Sequence, residues 1–273
     1  MKIATVGKGG SGKTTIAGTL ARLLGRETGQ VLAIDGDTNP NLALVLGLSP
    51  SQAEAITYTR SSVMRSVETG DGGRRLELAV PEAELRERYV TRAADGVDLI
   101  VMGQPEHGSA GQGCMCASHR AVRGMIAELS GFGEHTVTDM EAGLEHLRRG
   151  TARHVDLMLI VVEPYYRSLE AGARTAELAR ELAIPHVYAV ANKVRDADDQ
   201  AAIETFCTKH EMELLGRVPL DPAFVDAERA GKAPIDHAPD GPGIEAIREL
   251  AARIGNLSAP GAQRPESGTG LPF

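Results

Sequence analysis

The sequence predicts an α/β protein built as a doubly wound, mostly parallel sheet flanked by helices. Three observations carry this expectation. Short apolar or β-branched runs recur along the 273 residues, stretches with helical spacing separate them, and the first run leads straight into a glycine-rich loop. Strands that are apolar throughout, without alternation, suit a parallel sheet covered on both faces. Strand alternating with helix is the doubly wound pattern, and its ligand crevice lies at the carboxyl ends of the strands.

The expected strands are 3–6, 31–34, 76–80, 97–102, 136–139, 157–162, 187–191 and 214–218. Segments 14–24 and 169–182 carry apolar residues at helical spacing among Ala, Leu, Arg and Glu. The polar stretch 49–75 ends in Gly70-Asp71-Gly72-Gly73 and is expected to form a helix followed by a loop. One domain is expected over residues 1–256. Residues 257–273, rich in Pro and Gly, are expected to form a disordered tail.

Composition narrows the function. A hydrophobic fraction of 42% with 24% charged residues excludes wholesale disorder. The net charge of −8 and the absence of Trp argue against a nucleic-acid binder, which needs basic patches and stacking platforms. Three cysteines are too few for a disulfide scaffold. The chain opens without an export-signal pattern, and no apolar run approaches the ~20 residues of a membrane span. A cytoplasmic protein without membrane or nucleic-acid partners is therefore expected.

Gly7-Lys8-Gly9-Gly10-Ser11-Gly12-Lys13-Thr14 fits the phosphate-binding pattern G-x-x-x-x-G-K-[ST], between an expected strand and an expected helix. Glycines let successive backbone N–H groups curl round phosphate oxygens, and the helix N-terminus adds partial positive charge. Gly9, Gly10, Ser11, Gly12, Lys13, Thr14 and Thr15 thus form the expected nucleotide cradle of a P-loop NTPase. Lys13 would face the β- and γ-phosphates, and the Thr14 hydroxyl would ligate Mg²⁺. Asp35 and Asp37 follow the second strand, where a carboxylate can orient an attacking water or hold Mg²⁺ through its shell. An Asp-Asn capping turn is the simpler reading of the same residues.

Cys114-Met115-Cys116 lies beyond the 97–102 strand, just before helical spacing resumes. Two thiols near a helix N-terminus gain thiolate character and suit Zn, Cu(I), Fe–S or Ni. The pair is half of a four-coordinate site, and a twofold dimer would supply the rest. Two buried structural thiols are the alternative. Cys207, in a helical segment, is expected to be a buried small residue.

The second lysine, Lys8, makes the loop resemble the deviant K-G-G-x-G-K-[ST] form of the MinD, ParA, ArsA and nitrogenase iron protein ATPases. With Cys114, Cys116 and the segment running from Asp139 to Gly150, residues 1–254 resemble the accessory ATPases that insert nickel into carbon monoxide dehydrogenase. That resemblance implies an ATP-dependent homodimer in which Lys8 reaches the partner's nucleotide. It implies that Asp37 positions water with Asp35 in support, that Asp139 contacts the Mg²⁺ shell, and that the Gly143 N–H senses the γ-phosphate. Asn192 would read adenine, and the loop containing Pro219 and Asp221 would cover the purine. Cys114 and Cys116 of both subunits would share one Ni²⁺ (or Zn²⁺), and the client would be nickel carbon monoxide dehydrogenase or a related metalloenzyme. Departures from the pattern are Thr38 and Ala117, each where a proline is common. The alternatives are a MinD/ParA-like positioning ATPase with no metal role and a reductase component holding a [4Fe–4S] cluster.

Overall fold

The computed structural model describes residues 1–37, 39–68, 74–102, 122, 124–126, 128–129, 135–141 and 154–258. Its strands are β1 (Lys2–Gly7), β2 (Val31–Gly36), β3 (Met64–Glu68), β4 (Arg74–Leu78), β5 (Thr91–Arg92), β6 (Val97–Val101), β7 (His135–Met140), β8 (Leu157–Val162), β9 (His186–Val194) and β10 (Glu213–Pro219). The labelled helices are α1 (Lys13–Thr28), α2 (Leu42–Val45), α3 (Pro50–Glu54), α4 (Glu82–Tyr89), α5 (Tyr166–Glu181), α6 (Ala197–Lys209), α7 (Pro222–Arg229), α8 (Pro234–His237) and α9 (Pro242–Ser258).

Eight strands form one sheet in the order β10-β9-β8-β1-β7-β2-β6-β5. Every pairing is parallel except that of the two-residue edge strand β5 with β6. The expected doubly wound sheet is thus present. Strand order reverses at β1, with the earlier strands on one side and β8 to β10 on the other, which opens a crevice above the carboxyl end of β1.

Alternate residues of each strand feed two separate cores. Ile3, Val31, Ala33, Leu157, Leu159 and Val161 face one core, which α1 and α9 cover. Ala4, Val6, Leu32, Ile34, Met158, Ile160 and Val162 face the other, under α5 and α6. Helix α1 contributes Ile16, Leu20 and Leu24 at four-residue spacing, and α9 contributes Ile244, Ile247, Leu250, Ala251 and Ile254. Glycine ends α1, where Gly29 at φ 81° returns its N–H to the Gly25 carbonyl. Cys207 is buried on α6 as expected, and burial pushes its thiol pKa up. No helix among the described residues is long and apolar enough to cross a membrane.

Two local expectations fail. Segment 49–75 is not one helix and a loop: it holds α3, a 3₁₀ turn at Ser61–Val63 and strand β3. The strand expected at 76–80 begins instead at Arg74, and it pairs antiparallel with β3 in a ribbon separate from the main sheet. The reason lies in the alternation of Leu76, Leu78 and Val80 with Glu77, which gives one wet face that a doubly covered sheet could not accept. Arg65 sits opposite Glu77 in register, 3.6 Å away, and exposes its charge to solvent.

The buried Arg22 on α1 ties the fold together. Its guanidinium donates to Asp95 at 2.7 Å, before β6, and to Asp236 at 2.5 Å, on α8. A methyl group at Gly25, one turn on, would fall 2.2 Å from the Asp95 carbonyl oxygen, so helix and loop are in direct contact. Replacing Arg22 with Ala removes a buried guanidinium and breaks the Asp236 pair, while Asp95 keeps Arg26 at 3.0 Å. Urea unfolding of Arg22→Ala should show a loss of about 2 kcal/mol, from the lost charged hydrogen bonds and the packing of the buried side chain. A loss within the scatter of surface substitutions would mean the pairs are incidental.

Candidate functional site: a phosphate loop closed on three carboxylates

The loop between β1 and α1 turns tightly. The Ser11 N–H donates to the Lys8 carbonyl at 3.1 Å, and Gly10 and Gly12 hold φ values of 81° and 90°. Both angles lie in the left-handed region that side chains disfavour. Gly12 is also confined in space: a Cβ there would lie 2.2 Å from the Asn192 amide nitrogen. The Ser11 hydroxyl is buried and has no hydrogen-bond partner among the described residues. The Lys8 side chain is exposed on the loop.

Three strand ends converge below the loop. From β7, Asp139 accepts hydrogen bonds from the Thr14 hydroxyl at 2.6 Å and the Thr5 hydroxyl at 3.2 Å. Just after β2, Asp37 pairs with the Lys13 ammonium at 3.2 Å. Asp35, at the end of β2, accepts the N–H of Leu42 at 2.9 Å and of Asp37 at 3.2 Å. Burial and then the nearby Asp139 charge raise the Asp35 pKa to about 7. Burial likewise raises Asp139 to about 6, although Lys13 and the Thr14 hydrogen bond pull it down. The cations and donors present therefore compensate these carboxylates incompletely.

An open cavity of about 310 Å³ continues from the loop toward the ends of β9 and β10. Its lining includes Gly12, Thr15, Asn192, Pro219, Leu220 and Phe224. The Asn192 side-chain amide donates to the Ser11 carbonyl at 2.7 Å, which fixes it at the loop. Asp221 borders the cavity, but its carboxylate is occupied as the cap of α7, accepting the N–H of Ala223 and of Gly243 at 2.9 Å each. The structure thus gathers Gly9, Gly10, Ser11, Gly12, Lys13, Thr14, Thr15, Asn192, Pro219 and Asp221 round one loop and cavity, beside Asp35, Asp37 and Asp139. Gly143, Cys114 and Cys116 lie outside the described residues. Sequence reasoning missed Glu163 and Lys193, which meet at the loop's outer side. The adjacency of Lys193 to Asn192 was the one available signal.

A cradle of left-handed glycines, a helix N-terminus, a lysine and a hydroxyl facing a carboxylate define a nucleotide-binding P-loop ATPase. Residues 2–235 match the family model of the CobQ/CobB/MinD/ParA nucleotide binding domain, and the chain belongs to that family. It is 37% identical to the carbon monoxide dehydrogenase accessory protein CooC of Rhodospirillum rubrum, over 88% of this chain and 91% of that one. An ATP-binding protein of Methanocaldococcus jannaschii is 35% identical over 85% of this chain and 90% of its own. Among solved structures, the septum site-determining protein MinD of Pyrococcus horikoshii, complexed with Mg-ADP, shares the fold with a TM-score of 0.72. Its identity is 21%, and the match covers 94% of this chain and 96% of that one.

The residues suit Mg²⁺ with a nucleotide. Thr14 and Asp139 offer hard oxygen donors side by side, the Ser11 hydroxyl has no partner among the described residues, and the space beside Gly10 is open to phosphate oxygens. The raised carboxylates give a test. A carboxylate whose folded pKa lies above its unfolded value destabilises the fold when ionised. The penalty grows from about pH 4 through the folded pKa, near 6 for Asp139. Asn at 139 can pair with the Thr5 and Thr14 hydroxyls without charge. Nucleotide-free Asp139→Asn should therefore gain stability over wild type, by about 1–2 kcal/mol more at pH 7.5 than at pH 4.5. Equal differences at both pH values in denaturant titrations would show that Asp139 is not strained.

Proposed function

We propose that the protein is an ATP-hydrolysing homodimeric maturation factor that binds nickel through the Cys114/Cys116 pair and supports metal insertion into carbon monoxide dehydrogenase. The observation that carries this reading is the 37% identity to CooC along nearly the whole of both chains, in a chain whose sequence carries the two-thiol motif Cys114-Met115-Cys116. We place it in the cytoplasm.

In this reading Lys13 leaves Asp37 and faces the β- and γ-phosphates. The loop glycines and the α1 N-terminus supply N–H donors, and transferred charge is stabilised by these fixed dipoles. Asp37, once released, orients the attacking water, and Asp35 holds the turn that carries it through its bonds to Leu42 and Asp37. A magnesium ion, held by Thr14 and Asp139, would neutralise charge on the phosphates. Asn192 and the Pro219–Asp221 loop border the purine. Lys8, exposed and unshielded by the loop, is free to reach a second subunit's nucleotide. Nickel is cargo. Two thiolates per subunit make half of a four-ligand site, so one ion would bind per dimer, and metal and dimerisation would strengthen each other.

Sedimentation with metal analysis tests this. Wild type should hold one nickel (or zinc) per dimer, and ATP should tighten both association and metal retention. Cys114→Ser/Cys116→Ser should bind ATP but lose metal-driven dimerisation. Lys13→Ala should lose on the order of 10²-fold or more in ATP turnover while its thiols remain able to take metal. One metal per monomer, or metal kept by the double serine variant, would overturn the shared site. A wild type that hydrolyses ATP but takes no metal would favour a positioning ATPase.

A further inference from the structure

Asn192 and Lys193 are consecutive residues near the end of β9, and an extended strand would send their side chains to opposite faces. Instead both grip the same loop. Lys193 has φ of +58°, the left-handed region that a residue bearing a Cβ rarely enters. This break in the strand lets the Asn192 amide reach the Ser11 carbonyl at 2.7 Å and the Lys193 ammonium reach the Gly10 carbonyl at 2.6 Å. Backbone strain of this kind persists only where the surroundings over-determine it.

The surroundings do so here through Glu163, the residue after β8. Its largely buried carboxylate accepts from the Lys193 ammonium at 2.8 Å. Glu163 is itself fixed: its N–H donates to the buried Ser168 hydroxyl at 3.0 Å, and its carbonyl accepts from the Tyr165 N–H at 2.7 Å. Each peptide unit is planar, so holding its carbonyl also aims its N–H. The 10–11 peptide is pinned on both sides, by Lys193 at the carbonyl and by the Lys8 carbonyl at the N–H. Asn192 holds the 11–12 peptide from outside, which turns the Gly12 N–H away from it.

We propose that Lys193 and Glu163 form a clamp that sets the phosphate loop in its binding shape before a nucleotide arrives. Lys193 is a positioning residue that acts on the loop's backbone, and Glu163 keeps its ammonium on the Gly10 carbonyl. The inference rests on the reading of this loop as the nucleotide site and adds a residue pair to it. Two consequences separate the clamp from general stability. Preorganisation helps bound nucleotide in ground and transition states alike, so its loss raises KM more than it lowers kcat. Removing Lys193 alone also leaves an unpaired carboxylate beside the site for phosphate, so a second substitution at Glu163 should repair part of the damage.

The decisive variant is Lys193→Gly, because glycine accepts the left-handed backbone that another residue would strain, and adding Glu163→Gln removes the carboxylate left without its partner. Competition against fluorescently labelled ADP with Mg²⁺ should show affinity weakened about tenfold, the size expected for losing a charge-assisted hydrogen bond to the loop. KM for ATP should rise in parallel, with kcat within about threefold of wild type. Adding Glu163→Gln to Lys193→Gly should recover part of the ADP affinity, and Glu163→Gln alone should weaken it by less than Lys193→Gly does. ADP affinity of Lys193→Gly within twofold of wild type would overturn the clamp. So would a fall in kcat at unchanged KM, or a double variant weaker than Lys193→Gly. Wild type that fails to bind ADP at all would overturn the nucleotide-site reading, and the clamp with it.

Discussion

The hydrogen bond from Thr14 to Asp139 and the ion pair between Lys13 and Asp37 join the first turn of α1 to the ends of two strands, and the site depends on them. Their geometry follows from sheet register. Thr5 on β1 lies opposite Asp139 on β7, and Asp139 lies opposite Asp35 on β2, so three polar side chains form a row across adjacent parallel strands. Such a row inside a doubly covered sheet is costly unless it is satisfied. Hydroxyls, backbone N–H groups and one lysine satisfy it only in part, and two carboxylates are left with raised pKa values. The row thus favours additional positive charge beside it. A magnesium-bearing nucleotide meets that preference, at the cost of separating Lys13 from Asp37 and Thr14 from Asp139.

The remainder of the fold keeps these residues in place. The two cores, one under α1 and α9 and the other under α5 and α6, hold β1, β7 and β2 at fixed spacing. Arg22 anchors the middle of α1 to segments on two sides of it, so the helix that opens at Lys13 cannot drift along the sheet. Opposite the carboxylates, β8 and β9 present Glu163, Asn192 and Lys193 to the outer side of the loop. The loop is therefore held between a carboxylate row beneath it and a set of donors outside it.

Much of this was legible in the sequence. The wholly apolar runs at 31–34 and 157–162 announced strands buried on both faces, and the glycine-lysine pattern located the loop. The antiparallel ribbon is hidden from a reading of Leu76 and Leu78 by apolarity alone; its signal is the charged Glu77 between them. The Lys193–Glu163 pair joins residues 30 positions apart on neighbouring strands, and no local periodicity encodes such a contact. The left-handed turn at Lys193 was equally hidden, since lysine carries no preference for it. Asp221 illustrates the reverse case: its position beside the cavity was foreseeable, but its use as a helix cap follows from packing of α9 against the same loop.

A Mg²⁺-bearing nucleotide must open the Thr14–Asp139 and Lys13–Asp37 pairs and bring positive charge beside two carboxylates whose pKa values are raised by burial. Calorimetric titration of the protein with ADP in excess Mg²⁺ at pH 6.5, repeated in buffers of different ionisation enthalpy, measures the protons exchanged on binding. Net proton release is expected, because added positive charge beside Asp139 and Asp35 lowers pKa values that start near 6 and 7. Nucleotide binding with no proton release, or with uptake, would contradict it.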